Sequence, residues 1–260
     1  EKLERAAPAV ASASASAPGA ALPGSPATAS PVATATPTPA LSTRTQLPHY
    51  LTRLFGAEAT LAALREQVLE HRLVSLIGPG GSGKTRLAMR IAETLPGAIF
   101  LGLGRAANNG ASANARMDAD IGLKARVHRA LAWLVEDGAT MTPALIALLA
   151  GLEEDCAAIV VDMVEHGLDQ ASQEALIAHL RRRAPQARPL FLMTRSTAIL
   201  DLAEVGFAEA ILFCPANHSP PYLVAAQPGA PGYEALASCL ASPQVSARTE
   251  GVIAWRPQAA

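Results

Sequence analysis

Eight consecutive residues carry the clearest chemical signal in the chain: Gly78-Pro79-Gly80-Gly81-Ser82-Gly83-Lys84-Thr85. They fit the pattern GxxxxGK[ST] without a gap, the arrangement that cradles the phosphates of a nucleoside triphosphate. Glycines let the backbone curl until successive N–H groups converge on phosphate oxygens, and the positive end of the following helix adds to the attraction. Lys84 brings a mobile ammonium to the outer phosphates and Thr85 offers a hydroxyl to magnesium. Arg86 closes the binding stretch that Gly78, Gly80, Gly81, Ser82 and Gly83 open. The chain has only three lysines, Lys2, Lys84 and Lys124, so a stray lysine behind a glycine-rich turn is a poor explanation. ATP or ADP with magnesium is the expected ligand set.

A site of this kind needs a second element, an acidic residue at the end of a neighbouring apolar strand that holds the magnesium through water. Asp162 closes AAIVVD, 78 residues after Lys84, which leaves room for an intervening strand and helices. Thr85 and Asp162 are therefore the expected metal ligands. The residue that activates water stays open. Met163 stands where many ATPases have glutamate, and Glu165 is the nearest carboxylate, with a surface or helix-start role as its alternative. In FLMTRS, Thr194 and Arg195 are placed to sense a γ-phosphate; Arg195 acts as an internal arginine finger or forms a salt bridge at the sheet edge.

These residues need a scaffold, and the flanking sequence supplies one. The strand expected over 72–77 (RLVSLI) runs into the glycine loop, and a helix is expected over 84–95. Leu61, Leu64, Val68 and Leu69 recur at helical spacing and predict an amphipathic helix over about 57–70. Further strands are expected over 98–103, 157–161, 189–193 and 208–213, with helices over 123–136, 142–153 and 172–183. Thr142 reads as an N-cap and Pro143 as the first helical residue. The stretch GRAANNGASANARMDAD, residues 104–120, lacks periodicity and reads as a polar loop. Alternating strands and helices predict right-handed crossovers and an α/β fold: a P-loop NTPase with a mainly parallel sheet flanked by helices. Beyond Cys214 the sequence turns to a turn-rich stretch with a short helix near 233–240.

Composition divides the chain unevenly. From Ala6 to Ala40 it is almost entirely Ala, Pro, Ser, Thr and Gly, with no charge, and such a segment cannot bury enough apolar surface to offset its ordering entropy. The expected organisation is a disordered linker over 1–45, the NTPase domain over 46–215 and an extension of unknown role over 216–260. The chain starts at Glu1 rather than Met, as expected of a processed chain or a piece of a longer one with an effector domain upstream. A net charge of −1 argues against a strongly basic nucleic-acid surface, and the run Arg181–Arg183 reads as a solvated helix end. Three widely spaced cysteines, Cys156, Cys214 and Cys239, argue against a disulfide framework or zinc site. Cys214 and His218, in CPANHSPP, read as part of a Pro-rich turn rather than a metal centre. The longest apolar stretch, Pro143–Leu152, is too short to span a bilayer, so a cytoplasmic location is expected.

Taken together, the residues resemble the STAND-class P-loop NTPases, signal-transduction ATPases with numerous domains. These include AfsR/LuxR-type bacterial transcription regulators and, more distantly, the NB-ARC-like domains of plant resistance proteins. The resemblance rests on the lead-in LPHYLTRLFGAEATLAALREQV, on HRLVSLIGPGGSGKTRLAMRIAE, on VVDMVEHGLDQAS and on LMTRS, four places in the family's order within residues 47–200. The third matches at Asp162, Glu165, His166, Leu168 and Asp169, and the fourth at Thr194 and Arg195. Ala57 and Met163 depart from a usual arginine and asparagine, and no Gly-Leu-Pro motif, winged helix or helical repeat follows Cys214. The resemblance implies a slow, ATP-hydrolysing regulatory switch in a larger signalling protein, with a homo-oligomer or a tethered effector domain as partner.

Two rivals stand beside it. Gly167-Leu168-Asp169 also resembles a loop of ABC-type transport ATPases, although no Ser-Gly-Gly signature precedes Asp162 and Arg195 replaces the expected histidine. A non-hydrolysing nucleotide-binding scaffold is favoured by Met163 and by the lack of an obvious general base.

Overall fold

Every residue of LVSLI, Leu73–Ile77, is buried, as a strand enclosed on both faces and both edges requires. The computed structural model describes residues 65–66, 69–183, 186–216 and 219–249, all within the unit Ser42–Ala260. The expected linker over 1–45 lies outside them, as does most of the helix expected over 57–70; Arg65, Glu66 and Leu69 of that stretch are helical.

Six strands form one sheet: β1 (Leu73–Ile77), β2 (Ile99–Leu101), β3 (Ile159–Val161), β4 (Leu190–Met193), β5 (Glu209–Phe213) and β6 (Tyr222–Leu223). Their order is β2-β3-β4-β1-β5-β6, and all pairs are parallel except β5 with β6. The expected strands thus form, trimmed at their ends. One expectation is corrected: β3 is not a direct neighbour of β1, because β4 lies between them. Chain order does not fix lateral order, and the crossover after β3 returns into the gap between the two.

Successive strand residues face opposite sides of the sheet, and the core divides accordingly. Leu73, Ile159, Val161, Leu190 and Leu192 join one cluster; Val74, Leu76, Val160, Phe191 and Met193 join the other. The second is covered by helix α1 (Lys84–Ala92) through Leu87, Ala88, Met89 and Ile91. The first is covered by α2 (Ala111–Ala119), α3 (Ile121–Glu136), α4 (Pro143–Leu152) and α5 (Gln170–Arg181). This is an α/β architecture, a mainly parallel sheet flanked by helices on both faces.

Local chemistry accounts for the helix starts. The side chains of Asp120, Thr142 and Asp169 accept from the N–H groups of Leu123 (2.9 Å), Leu145 (3.1 Å) and Ser172 (2.8 Å), capping α3, α4 and α5. Pro143 occupies the first turn of α4 as its sequence position predicts. Gly151 lets α4 approach β2 closely: a Cβ there would stand 2.6 Å from Leu101 Cδ1.

The polar loop expected over 104–120 is corrected to a kinked 3-10 segment, Leu103–Gly110, followed by α2. Alanine-rich sequence has high helix propensity without a strong apolar stripe, and α2 buries only Ala113 and Met117, four residues apart. The Arg181–Arg183 run ends its helix as expected, with Arg182 exposed, but each member also has a partner. Arg181 bonds Glu209 at 2.9 Å, Arg182 pairs with Asp137, and Arg183 donates to the Arg188 carbonyl at 3.3 Å.

Beyond Cys214, β6 adds to the sheet, and α6 (Tyr233–Ala237) and α7 (Pro243–Thr249) follow. Leu236 and Val224 join Ile77, Leu200, Ile211 and Phe213 in a third cluster, so residues 222–240 are packed onto the end of the sheet. Among the described residues, no helix is long and apolar enough to cross a membrane.

Candidate functional site

Because β1, β3 and β4 run parallel, their C-terminal ends share one edge of the sheet. Gly78, Asp162 and Thr194 follow immediately from Ile77, Val161 and Met193, so topology alone gathers the three expected parts of the site.

The glycine loop has the backbone its sequence demands. Gly81 and Gly83 lie at φ 78° and 85°, the left-handed region that favours glycine. Gly78 is tighter, since a Cβ there would fall 2.2 Å from the Cys214 carbonyl oxygen. Gly83 is the N-cap of α1 and brings no side chain, and Thr85 and Arg86 stand half-buried in the first turn of that helix. The first N–H groups of a helix have no intrahelical partner and point toward whatever lies before its end.

Lys84 folds back into the loop. Its ammonium donates to the carbonyls of Gly78 (2.8 Å) and Pro79 (2.7 Å) and to Ser82 Oγ (3.3 Å). Burial lowers its pKa from the ordinary lysine value; Arg195 pushes the same way, while Cys214 and Asp162 oppose. Cys214 is itself buried, and its thiol is pushed up to about 12, which leaves it uncharged at neutral pH. Asp162 is the carboxylate among the groups that oppose the lowering. The cation is thus held inside a ring of loop oxygens, and the space beyond Gly81 is open.

Arg195 is exposed and reaches over the loop: its Nη2 lies 3.6 Å from the position a Cβ on Gly80 would take. Its main chain is held on both sides. The N–H donates to Glu165 Oε1 at 2.9 Å, and the carbonyl accepts from Ala241 N–H at 2.7 Å. Glu165 Oε2 is buried and has no hydrogen-bond partner among the described residues. Thr194 is buried, and its Oγ1 accepts from Ser196 N–H at 3.0 Å. The structure thus brings Lys84, Asp162, Glu165 and Arg195 to one edge. Cys214 lies beneath Gly78, and His218 is outside the described residues.

Two contributors carry no sequence motif. Gln173, at the start of α5, donates to the Leu168 carbonyl at 2.8 Å and accepts from Ser196 Oγ at 2.6 Å, joining the turn after β3 to the segment after β4. Arg105 reaches from the 3-10 segment to the carbonyls of Asp162 (2.7 Å) and Met163 (2.6 Å). An arginine in an aperiodic stretch gives no hint of partners 57 and 58 residues away.

No family model matches the chain. Uncharacterized proteins of Mycobacterium tuberculosis and Mycobacterium bovis are 31% identical to it over 158 residues, 59% of this chain. The chain spans 36% of the length of these curated relatives. Among solved structures, a cobalt transport ATP-binding protein is 16% identical with a TM-score of 0.43, covering 60% of this chain and 69% of its own. A complex of an archaeal ribosomal stalk protein with an archaeal ribosome recycling factor gives 10% identity and a TM-score of 0.32, covering 58% and 38%.

Proposed function

We propose that the chain binds ATP and ADP with magnesium at Gly78–Thr85 and serves as a slow ATP-hydrolysing regulatory switch within a larger signalling or transcription-regulatory protein of the STAND class. The observation that carries the nucleotide reading is the position of the Lys84 ammonium, held by the Gly78 and Pro79 carbonyls, with the Arg195 guanidinium over Gly80. In this reading the loop N–H groups, Lys84 and Arg86 hold the phosphates, and Thr85 and Asp162 hold the magnesium. The metal, when bound, neutralises charge on the transferring phosphoryl group. Arg195 stabilises charge beside it, and Glu165 orients or deprotonates water through its unpartnered Oε2.

The switch role rests on the family resemblance together with the Arg195 linkage. Arg195 is bonded to Glu165 on one side and to Ala241 on the other, so a change at the guanidinium has a main-chain route into the C-terminal segment. One observation favours the scaffold alternative: Glu165 Oε1 already serves a main-chain N–H, as a structural carboxylate would.

The test is a titration with ATP and with ADP, with and without magnesium, following phosphate release and light scattering. Binding with slow turnover and a nucleotide-dependent change in size supports the switch. Binding with no turnover at constant size selects the scaffold, and no binding overturns both.

A further inference from the structure

The turn that carries the two acidic site residues has an unusual backbone. Met163, between Asp162 and Val164, lies at φ 47°, a left-handed conformation that is uncommon for a bulky residue without special support. Three successive carbonyls of this turn converge on one side chain. Arg105 Nη1 donates to Asp162 O at 2.7 Å, and Nη2 donates to Met163 O at 2.6 Å and Val164 O at 3.4 Å. Arg105 is itself fixed, since Nη1 also reaches Gly102 O at 3.1 Å and its own N–H donates to the same carbonyl at 3.1 Å.

We propose that Arg105 is a positioning residue: by gathering the carbonyls of Asp162, Met163 and Val164 it holds Met163 in the left-handed region and so sets the directions in which the Asp162 and Glu165 carboxylates leave β3. The assignment rests on the magnesium–nucleotide reading of the site. Three features of the chemistry favour arginine here. A planar guanidinium presents several N–H donors in a fixed fork, whereas a lysine ammonium cannot reach three carbonyls in a row. All of its bonds to the turn go to main chain, so it leaves both carboxylates free for other partners. Its charge also lies near both of them: burial lowers the guanidinium pKa, while Glu165 and Asp162 raise it. Met163 is a residue type that tolerates positive φ less well than asparagine or glycine. Arg105 thus supplies from a distance what the local residue type does not.

The experiment compares Arg105→Ala, Arg105→Lys, Met163→Val and the double variant Arg105→Ala/Met163→Gly with wild type. Calorimetry gives ATP affinity in EDTA and the magnesium concentration for half-maximal enhancement, phosphate release gives kcat and KM, and circular dichroism checks folding. Arg105→Ala is expected to raise the magnesium requirement by about 10-fold or more, the usual effect of losing a group that orients metal ligands. Metal-free ATP affinity is expected to stay near wild type, with kcat falling more than KM rises. Arg105→Lys falls between. Met163→Gly in the Arg105→Ala background should recover most of the loss, because glycine takes φ 47° freely. Met163→Val should reproduce the magnesium defect with Arg105 intact, and it decides the question where Arg105→Ala does not fold. An unrescued double variant, or equal losses with and without metal, overturns the assignment while the nucleotide reading stands. A wild type that binds no nucleotide overturns the reading itself.

Discussion

The main-chain N–H of Arg195 and the Oε1 of Glu165 are 2.9 Å apart, so the residue after β3 that we propose acts on water also anchors the residue after β4 that reaches the glycine loop. The two roles separate by substitution. Glu165→Gln keeps an oxygen for the Arg195 N–H and removes the charge. If the carboxylate acts on water, turnover falls by about 10²-fold or more with ATP affinity near wild type. Phosphate release beside calorimetry checks this, and unchanged turnover would leave Glu165 as an anchor only.

Lys84→Ala removes the ammonium from the loop. Hydrogen bonds to a charged group contribute about 1.5–3 kcal/mol each, so more than one lost to phosphate abolishes nucleotide binding at micromolar concentrations. Asp162→Asn is expected to retain binding and to flatten its dependence on magnesium. Wild-type ATP affinity in the lysine variant would refute the nucleotide reading.

Two glycines of the loop separate backbone strain from collision. Gly81→Ala meets open space and bears only the left-handed backbone cost, about 1–2 kcal/mol. Gly78→Ala drives its Cβ into the Cys214 carbonyl, a main-chain atom that cannot rotate away, and is expected to cost more than about 3 kcal/mol. Urea midpoints of the two variants order the costs; equal values would contradict the close approach of β1 to the Cys214 segment.

Asp169 caps α5 through Ser172 N–H and also accepts from Thr140 Oγ1 at 2.7 Å. These bonds, the one from Thr140 first, hold its pKa below the ordinary aspartate value of 3.8. A depressed carboxylate pKa means that the unfolded chain binds the proton more readily, so the stabilisation is fully present above pH 3.8 and is lost as pH falls through the folded-state value. Asp169→Ala is expected to lower stability by about 1 kcal/mol at neutral pH. The gap to wild type should narrow in strong acid, as denaturant titrations at several pH values would reveal.

The parts legible in the sequence were those whose chemistry is local. The glycine loop, the cap at Thr142 and the buried strand runs each state their structure within a few residues. Asp162 was found by its place at a strand end, but the insertion of β4 beside it was not, because apolar runs such as IVV and LFLM look alike wherever they sit in a parallel sheet. Arg105 was invisible for a different reason. Its partners are main-chain carbonyls, which every residue possesses, so no residue type on the receiving side marks the contact. The helix Ala111–Ala119 was missed because alanines announce helix by propensity rather than by periodic apolarity. β6 was missed because it has two residues, both exposed.

The insertion of β4 also sets a scale. Hydrogen-bonded strands lie about 4.8 Å apart, and Leu192 sits in register with Ser75 of β1 on one side and Val161 of β3 on the other. The strand that launches the loop and the strand that launches Asp162 are therefore separated by two such steps, about 10 Å. Backbone ladders, not side chains, act as the ruler for that gap. A substitution at any of the residues lining it alters what fills the space, but only the gain or loss of a whole strand would alter its width.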